Sequence, residues 1–178
     1  MTENTLLDFR DAYSLTEEQI LFEMLQKDWN GFAPVDIEQF LARLDNSRGA
    51  IRAGYNGDLP ACIVEALMTD THGDPYKIAD DYQKLTGDGT WLTHRPSGDT
   101  ALLVDLTVDQ RWRGMGFADQ MIEYCRRAFI EYPHMLTFSP DNGIAQKMHE
   151  KHGARAVRTI ENARPGHKYP DVIVMQYR

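Results

Sequence analysis

The stretch Ala101-Leu-Leu-Val-Asp105-Leu-Thr-Val108-Asp-Gln-Arg111-Trp-Arg113-Gly114-Met-Gly116-Phe-Ala118 decides how this chain is read. An apolar run of strand character enters a turn with two glycines one residue apart. A helical pattern follows at once, with Phe117, Met121, Ile122, Cys125 and Phe129 on one face. Gly114 or Gly116 opens that helix. Glycine lets backbone approach a ligand closely, and a helix N-terminus offers unpaired N–H groups with a positive dipole end, a combination suited to a diphosphate. Arg111 and Arg113 add local positive charge. The segment does not fit two other phosphate motifs. The third glycine of G-x-G-x-x-G falls at Asp119, and there is no G-K-[ST] for a P-loop.

The local device matters because the chain as a whole repels anions. It has 178 residues with 19 Lys and Arg against 27 Asp and Glu, a net charge of −8. That balance disfavours a nucleic-acid binder and an anionic membrane surface. It also favours a cationic or peptide acceptor over an anionic one. The length suits one domain, residues 1–178. Cys62 and Cys125 are too few for a disulfide framework or a cysteine zinc site, and they read as buried free thiols. No apolar run of membrane-spanning length and no signal-peptide pattern is present, so the expected setting is cytoplasmic.

Working outward, Ser14 to Lys27 predicts a helix with a Ser14/Glu17 capping box. A second helix is expected from Pro34, with Ile37, Phe40, Leu41 and Leu44 inward. Asn56-Gly57 marks a hairpin between strands near 50–55 and 61–68. A short helix is expected over Pro75–Leu85, then a hairpin pairing 90–95 with 100–108 around Pro96-Ser97-Gly98-Asp99. Beyond the long helix, Pro133 is a stop, 135–139 a strand, and 142–152 a helix closed by Gly153. Two strands near 154–160 and 171–177 end the chain. The expectation is an α/β (α+β) fold with a mixed sheet flanked by helices.

Arg111-x-x-Gly114-x-Gly116 after a strand resembles the acyl-CoA signature of the GNAT superfamily of N-acetyltransferases. Asn142-x-x-Ala145-x-x-x-His149-Glu-Lys151-His-Gly153-Ala154 resembles the second block of the same family, in the expected order and spacing. The resemblance covers 101–154 and implies a splayed central sheet and acetyl-CoA as acyl donor, with no metal. It further implies transfer to a small-molecule amine or peptide, in a family where homodimers are common. Carried over residue by residue, the backbone N–H groups of Arg113, Gly114, Met115, Gly116, Phe117 and Ala118 hold the diphosphate. Leu106, Thr107 and Val108 run beside the pantetheine, Asn142 contacts that arm, and Lys147 or Lys151 meets the adenosine phosphates.

Two positions depart from the family pattern: His149 stands where a tyrosine often protonates the departing thiolate, and Ala154 where phenylalanine is common. Asp105 is a candidate base, but strand alternation puts Leu106 and Val108 on one face and Asp105 and Thr107 on the other. Both sets line one pocket only if the strand bulges, as it does near this point in the family. His149 and Asp105 are therefore the catalytic candidates. No serine or cysteine nucleophile elbow is visible, which favours direct transfer in a ternary complex.

A narrower similarity links Trp91, His94, Pro96, Gly98 and Asp99 to GNAT-like domains of polyketide loading modules, and makes His94 a secondary candidate. It leaves two alternatives to an N-acetyltransferase: a thioester enzyme acting on acyl-carrier-protein substrates, or a non-catalytic CoA-thioester sensor. The aromatics Trp29, Phe32, Tyr76 and Tyr82 lie where the acceptor pocket would form.

Overall fold

The computed structural model describes residues 6–12, 14–28, 36–47, 49–72, 74, 78, 82–163, 166 and 168–177. Seven strands form one sheet: β1 (Asp8–Arg10), β2 (Ile51–Asn56), β3 (Leu59–Thr69), β4 (Thr100–Val108), β5 (His134–Pro140), β6 (Arg155–Ile160) and β7 (Val172–Tyr177). Their spatial order is β1-β2-β3-β4-β5-β7-β6. The helices are α1 (Leu15–Asp28), α2 (Ile37–Asn46), α3 (Tyr82–Leu85), α4 (Phe117–Ala128) and α5 (Ile144–Lys151).

Each sheet face buries its own core. On one face Leu21, Met24 and Leu25 of α1 and Phe40 of α2 cover Ile63, Leu67, Leu102 and Leu136. On the other, Met121, Ile122 and Cys125 of α4 cover Cys62, Val64, Ala101 and Leu103. Burial drives the Cys62 thiol up to about 12, and both cysteines are free. No described helix is long and apolar enough to cross a membrane.

All strand pairs are antiparallel except β4 and β5. That parallel pair is matched only from Thr100↔His134 to Leu103↔Thr137. Beyond it β4 continues to Val108 along β3, and β5 continues to Pro140 along β7. The sheet therefore forks, and among the described residues no strand lies between the facing edges of 104–108 and 138–140. Thr137 marks the fork by donating its hydroxyl to the Leu103 carbonyl at 3.2 Å.

The structure departs from the sequence reading in two places. The three-residue β1 pairs with Tyr55, Gly54 and Ala53 and was not anticipated. Residues 90–95, expected as a strand, are turns. The reason lies in where the carbonyls leading into this stretch go. Gln39 Nε2, Arg43 Nε and Asn46 Nδ2, along one face of α2, take the carbonyls of Asp88, Gly89 and Thr90 at 3.0, 2.6 and 2.8 Å. Trp91 then adopts a left-handed φ of 59°, which a strand does not permit. Pro34, Trp29, Phe32, Pro75 and Tyr76 lie outside the described residues, as does the Tyr82 side chain.

Candidate functional site

The end of β4 leads into the glycine turn. Asp109 caps a single 3-10 turn, Gln110–Trp112, by accepting the Arg111 N–H at 2.8 Å. Gly114 and Gly116 follow with φ of 81° and 79°, a region costly for any residue with a Cβ. Gly116 is the N-cap of α4 and, being glycine, makes no side-chain cap hydrogen bond. Among the described residues nothing lies within 4 Å of a Cβ built at either glycine. The turn that opens α4 thus borders open space on the side where the two glycines lack a Cβ, and the first-turn N–H groups of a helix have no partner within it.

The charges at this turn are distributed differently from the sequence expectation. Arg111 folds onto Asp109, donating through Nε at 3.0 Å and Nη2 at 2.9 Å. Its guanidinium in turn holds the Asp109 carboxyl below the usual carboxylate range. Arg113 Nε donates to the Val108 carbonyl at 3.2 Å, and the side chain is exposed. Lys151 Nζ is bound to both oxygens of Asp119 at 2.8 and 2.7 Å. His152 reaches the same carboxylate through Nε2 at 2.7 Å. Lys151 and His152 thereby hold the Asp119 carboxyl low and tie α5 to the first turn of α4. The backbone amides of this turn and the side chain of Arg113 adjoin these pairs in sequence. A cleft of ≈ 540 Å³ adjoins the turn, walled by Met24 and Lys27 of α1, Leu59, and 108–111.

Asn142 closes the other side of the fork. Its Oδ1 caps α5, accepting the N–H groups of Ile144 at 2.9 Å and Ala145 at 3.1 Å. Ser139 and Thr137 on β5 are buried polar residues at the fork, and the sequence reading did not single them out.

His149 is 4% exposed. Its Nδ1 lies 2.5 Å from the Tyr177 hydroxyl, and the Tyr177 backbone pairs with Met135, two residues short of the fork. Burial drives the imidazole down to about 4, so it is neutral at neutral pH. His94 is likewise lowered by burial. Its Nδ1 accepts the Met68 N–H at 3.2 Å, at the end of β3 opposite the turn.

β4 does bulge. Glu65 pairs with Asp105 and the next residue, Ala66, with Leu103, so Val104 is the extra residue. The bulge precedes Asp105 and leaves the alternation beyond it intact. Leu106 and Val108 pack toward α4, while Asp105 and Thr107 face the α1/α2 side. Thr107 Oγ1 donates to Asp105 Oδ1 at 2.5 Å. The two sets thus line opposite faces of one strand edge.

Sequence reasoning also missed Glu65, directly across from Asp105 and 1% exposed, and Arg43, 3% exposed, which pairs with it. The visible signal was Glu65 itself, the single charge in the run Ala61-Cys-Ile-Val-Glu-Ala-Leu-Met68.

Comparison with solved structures gives the same architecture. The loading GNATL domain of CurA from Lyngbya majuscula superposes with a TM-score of 0.80 at 12% identity, covering 96% of each chain. The GphF GNAT-like decarboxylase in complex with isobutyryl-CoA gives 0.79 at 18% identity, over 96% of this chain and 98% of that one. Arabidopsis thaliana Naa50 with the bisubstrate analogue CoA-Ac-MVNAL gives 0.67 at 13%, over 97% and 98%. No curated protein sequence matches significantly. The Acetyltransferase (GNAT) family model matches residues 18–154, which span the fork, the glycine turn and the capped α5, and the chain belongs to that family.

Proposed function

We propose that the protein is an N-acetyltransferase that moves an acetyl group from acetyl-CoA to an amine by direct attack. The observation that carries this reading is the fork between β4 and β5 opening beside an uncapped helix N-terminus. Both glycines of the turn there have left-handed φ values that favour glycine. A pantetheine arm lies between the open strand edges as a strand would, and the diphosphate meets the N–H groups of Arg113 to Ala118. Neighbouring structures with CoA or an acyl-CoA in their names support the choice of donor. Two buried free thiols suit a reducing, cytoplasmic setting.

The acceptor approaches from the α1/α2 face, where Asp105 stands. The amine nitrogen attacks the thioester carbonyl, its surplus proton passes to Asp105 directly or through one water, and the C–S bond breaks. The thiolate then takes up a proton. His149 does not supply it as an imidazolium near pH 7, because burial holds the ring neutral. A second reading, turnover of carrier-protein thioesters, draws on Trp91 and His94. Its weakness is that His94 Nδ1 is already occupied by a backbone N–H.

The test is thiol release from acetyl-CoA against spermidine, an aminoglycoside, a hexapeptide with a free N-terminus, and an acyl-carrier protein. Turnover with an amine, reduced at least about a hundredfold by Asp105→Asn, is the expected result. Turnover with the carrier protein alone supports the second reading. Tight CoA binding with no turnover supports a sensor.

A further inference from the structure

A charged pair lies almost wholly out of solvent beneath α2, although removing two charges from water is expensive unless their geometry compensates. Arg43 Nη1 meets Glu65 Oε2 at 3.0 Å and Oε1 at 3.2 Å. Its Nε is fixed by the Gly89 carbonyl at 2.6 Å. Gln39 and Asn46, on the same face of α2, hold the carbonyls to either side. The guanidinium is thus anchored at one end to a turn and at the other to β3. Glu65 is the cross-strand partner of Asp105. Directly opposed residues on one face bring their Cβ atoms to about 5 Å, and the Val104 bulge places Glu65 and Asp105 on that same face. Asp105 is itself oriented by Thr107.

We propose that Arg43 and Glu65 are positioning residues for acyl transfer: Arg43 holds Glu65 against Asp105, and together they fix the orientation and local charge in which Asp105 receives the acceptor's proton. This rests on the reading of Asp105 as the base. An arginine beside Asp105 with no acidic partner would hold the carboxylate ionised and make it a poor base. A glutamate there with no cation would compete with Asp105 for the proton. Burying both at 3.0 Å keeps the geometry and cancels the charge. The pair sits among largely apolar neighbours on the described elements. α1 covers β4 with Leu21, Met24 and Leu25, and its Glu17 is paired with Arg10. On the same face of the sheet β5 presents Leu136 and Phe138, which are uncharged.

The experiment follows the Asp105 carboxyl by 13C NMR, assigned with Asp105→Asn, alongside the acid limb of kcat/KM for acetyl-CoA and whichever amine of the panel turns over. Glu65→Gln leaves Arg43 unbalanced and moves the Asp105 midpoint down by about one pH unit or more. Arg43→Met leaves two facing carboxylates and moves it up by a similar amount. The double variant returns it to within about 0.3 unit of wild type. In each case the acid limb moves with the midpoint. Arg43→Lys keeps the charge and the midpoint, and with Glu65→Gln it carries the test if Arg43→Met does not fold. Asn46→Ala, which loosens the turn without touching the pair, lowers the melting temperature and leaves both readouts in place.

Single variants that change only stability, or a midpoint shift that the acid limb does not follow, overturn the proposal. If Asp105→Asn retains wild-type kcat, the reading of Asp105 as base fails, and the inference fails with it. If Asp105→Asn is inactive while Glu65→Gln leaves the acid limb unmoved, the inference alone fails.

Discussion

His149 Nδ1 and the Tyr177 hydroxyl are 2.5 Å apart, with their rings edge-on at 86°. This contact joins α5 to the last strand and places an imidazole, held down to about 4, inside the core. The unfolded chain binds a proton at this histidine below about 6.5, and the folded chain does so only near 4. The folded state therefore has its full stability from this group above about pH 6.5 and loses it as pH falls. The loss reaches about 3 kcal/mol by pH 4. His94, also lowered by burial, acts in the same direction. Urea unfolding between pH 7 and 4.5 should show a decline that His149→Gln flattens. Parallel declines in wild type and variant would show that the buried imidazole is not its source.

The same contact bears on catalysis. With Nδ1 engaged by Tyr177 and the ring neutral, His149 is expected to serve packing more than proton transfer. His149→Phe should lower stability by about 1–3 kcal/mol, by leaving the Tyr177 hydroxyl unpaired in the core, while kcat and its pH profile stay near wild type. A tenfold or greater fall in kcat, with the fold intact by circular dichroism, would return His149 to the reaction.

Arg111 spends its guanidinium on Asp109. Charge already neutralised by a neighbour adds little toward a ligand. Arg111→Ala should therefore weaken CoA binding only about twofold, roughly 0.4 kcal/mol. Calorimetry checks this, and a loss of about tenfold or more would mean that Arg111 leaves Asp109 when CoA binds.

Lys151 contacts a carboxylate in the first turn of α4, at the helix end where negative charge opposes a bound phosphate only if left without a cation. Lys151→Ala should weaken CoA binding, and the added change Asp119→Asn should restore most of it. Direct contact between Lys151 and a phosphate predicts instead that the loss persists in the Asp119→Asn background. A double-mutant cycle in CoA affinity separates the two.

The parts legible in the sequence were those set by local chemistry. The β4–turn–α4 unit announced itself through two glycines between an apolar strand and an amphipathic helix, and Asn56-Gly57 fixed the β2–β3 hairpin. What stayed hidden depends on partners distant in the chain. Turns replaced a strand at 90–95 because α2 side chains took the carbonyls of 88–90. β1 is too short to show a period and is anchored in part by the Leu7 N–H on Gln120, 113 residues away. The family resemblance placed a bulge near Asp105, but only the β3–β4 register puts it at Val104, before Asp105, so that the two faces of the edge stay separate. The pairing of Lys151 with Asp119, 32 residues away, is equally long-range.

The central claim is that the fork and the uncapped end of α4 hold an acyl-CoA through backbone amides. Titration calorimetry of acetyl-CoA into wild type and Gly116→Val measures it most directly. Gly116 has a φ of 79° and open space before it, so a β-branched side chain there strains the turn and fills the diphosphate position. The account predicts a clear binding isotherm for wild type and a loss of at least about a hundredfold in the variant, equal to roughly 3 kcal/mol, with the fold retained. No binding by wild type, or equal affinity in both proteins, would contradict it.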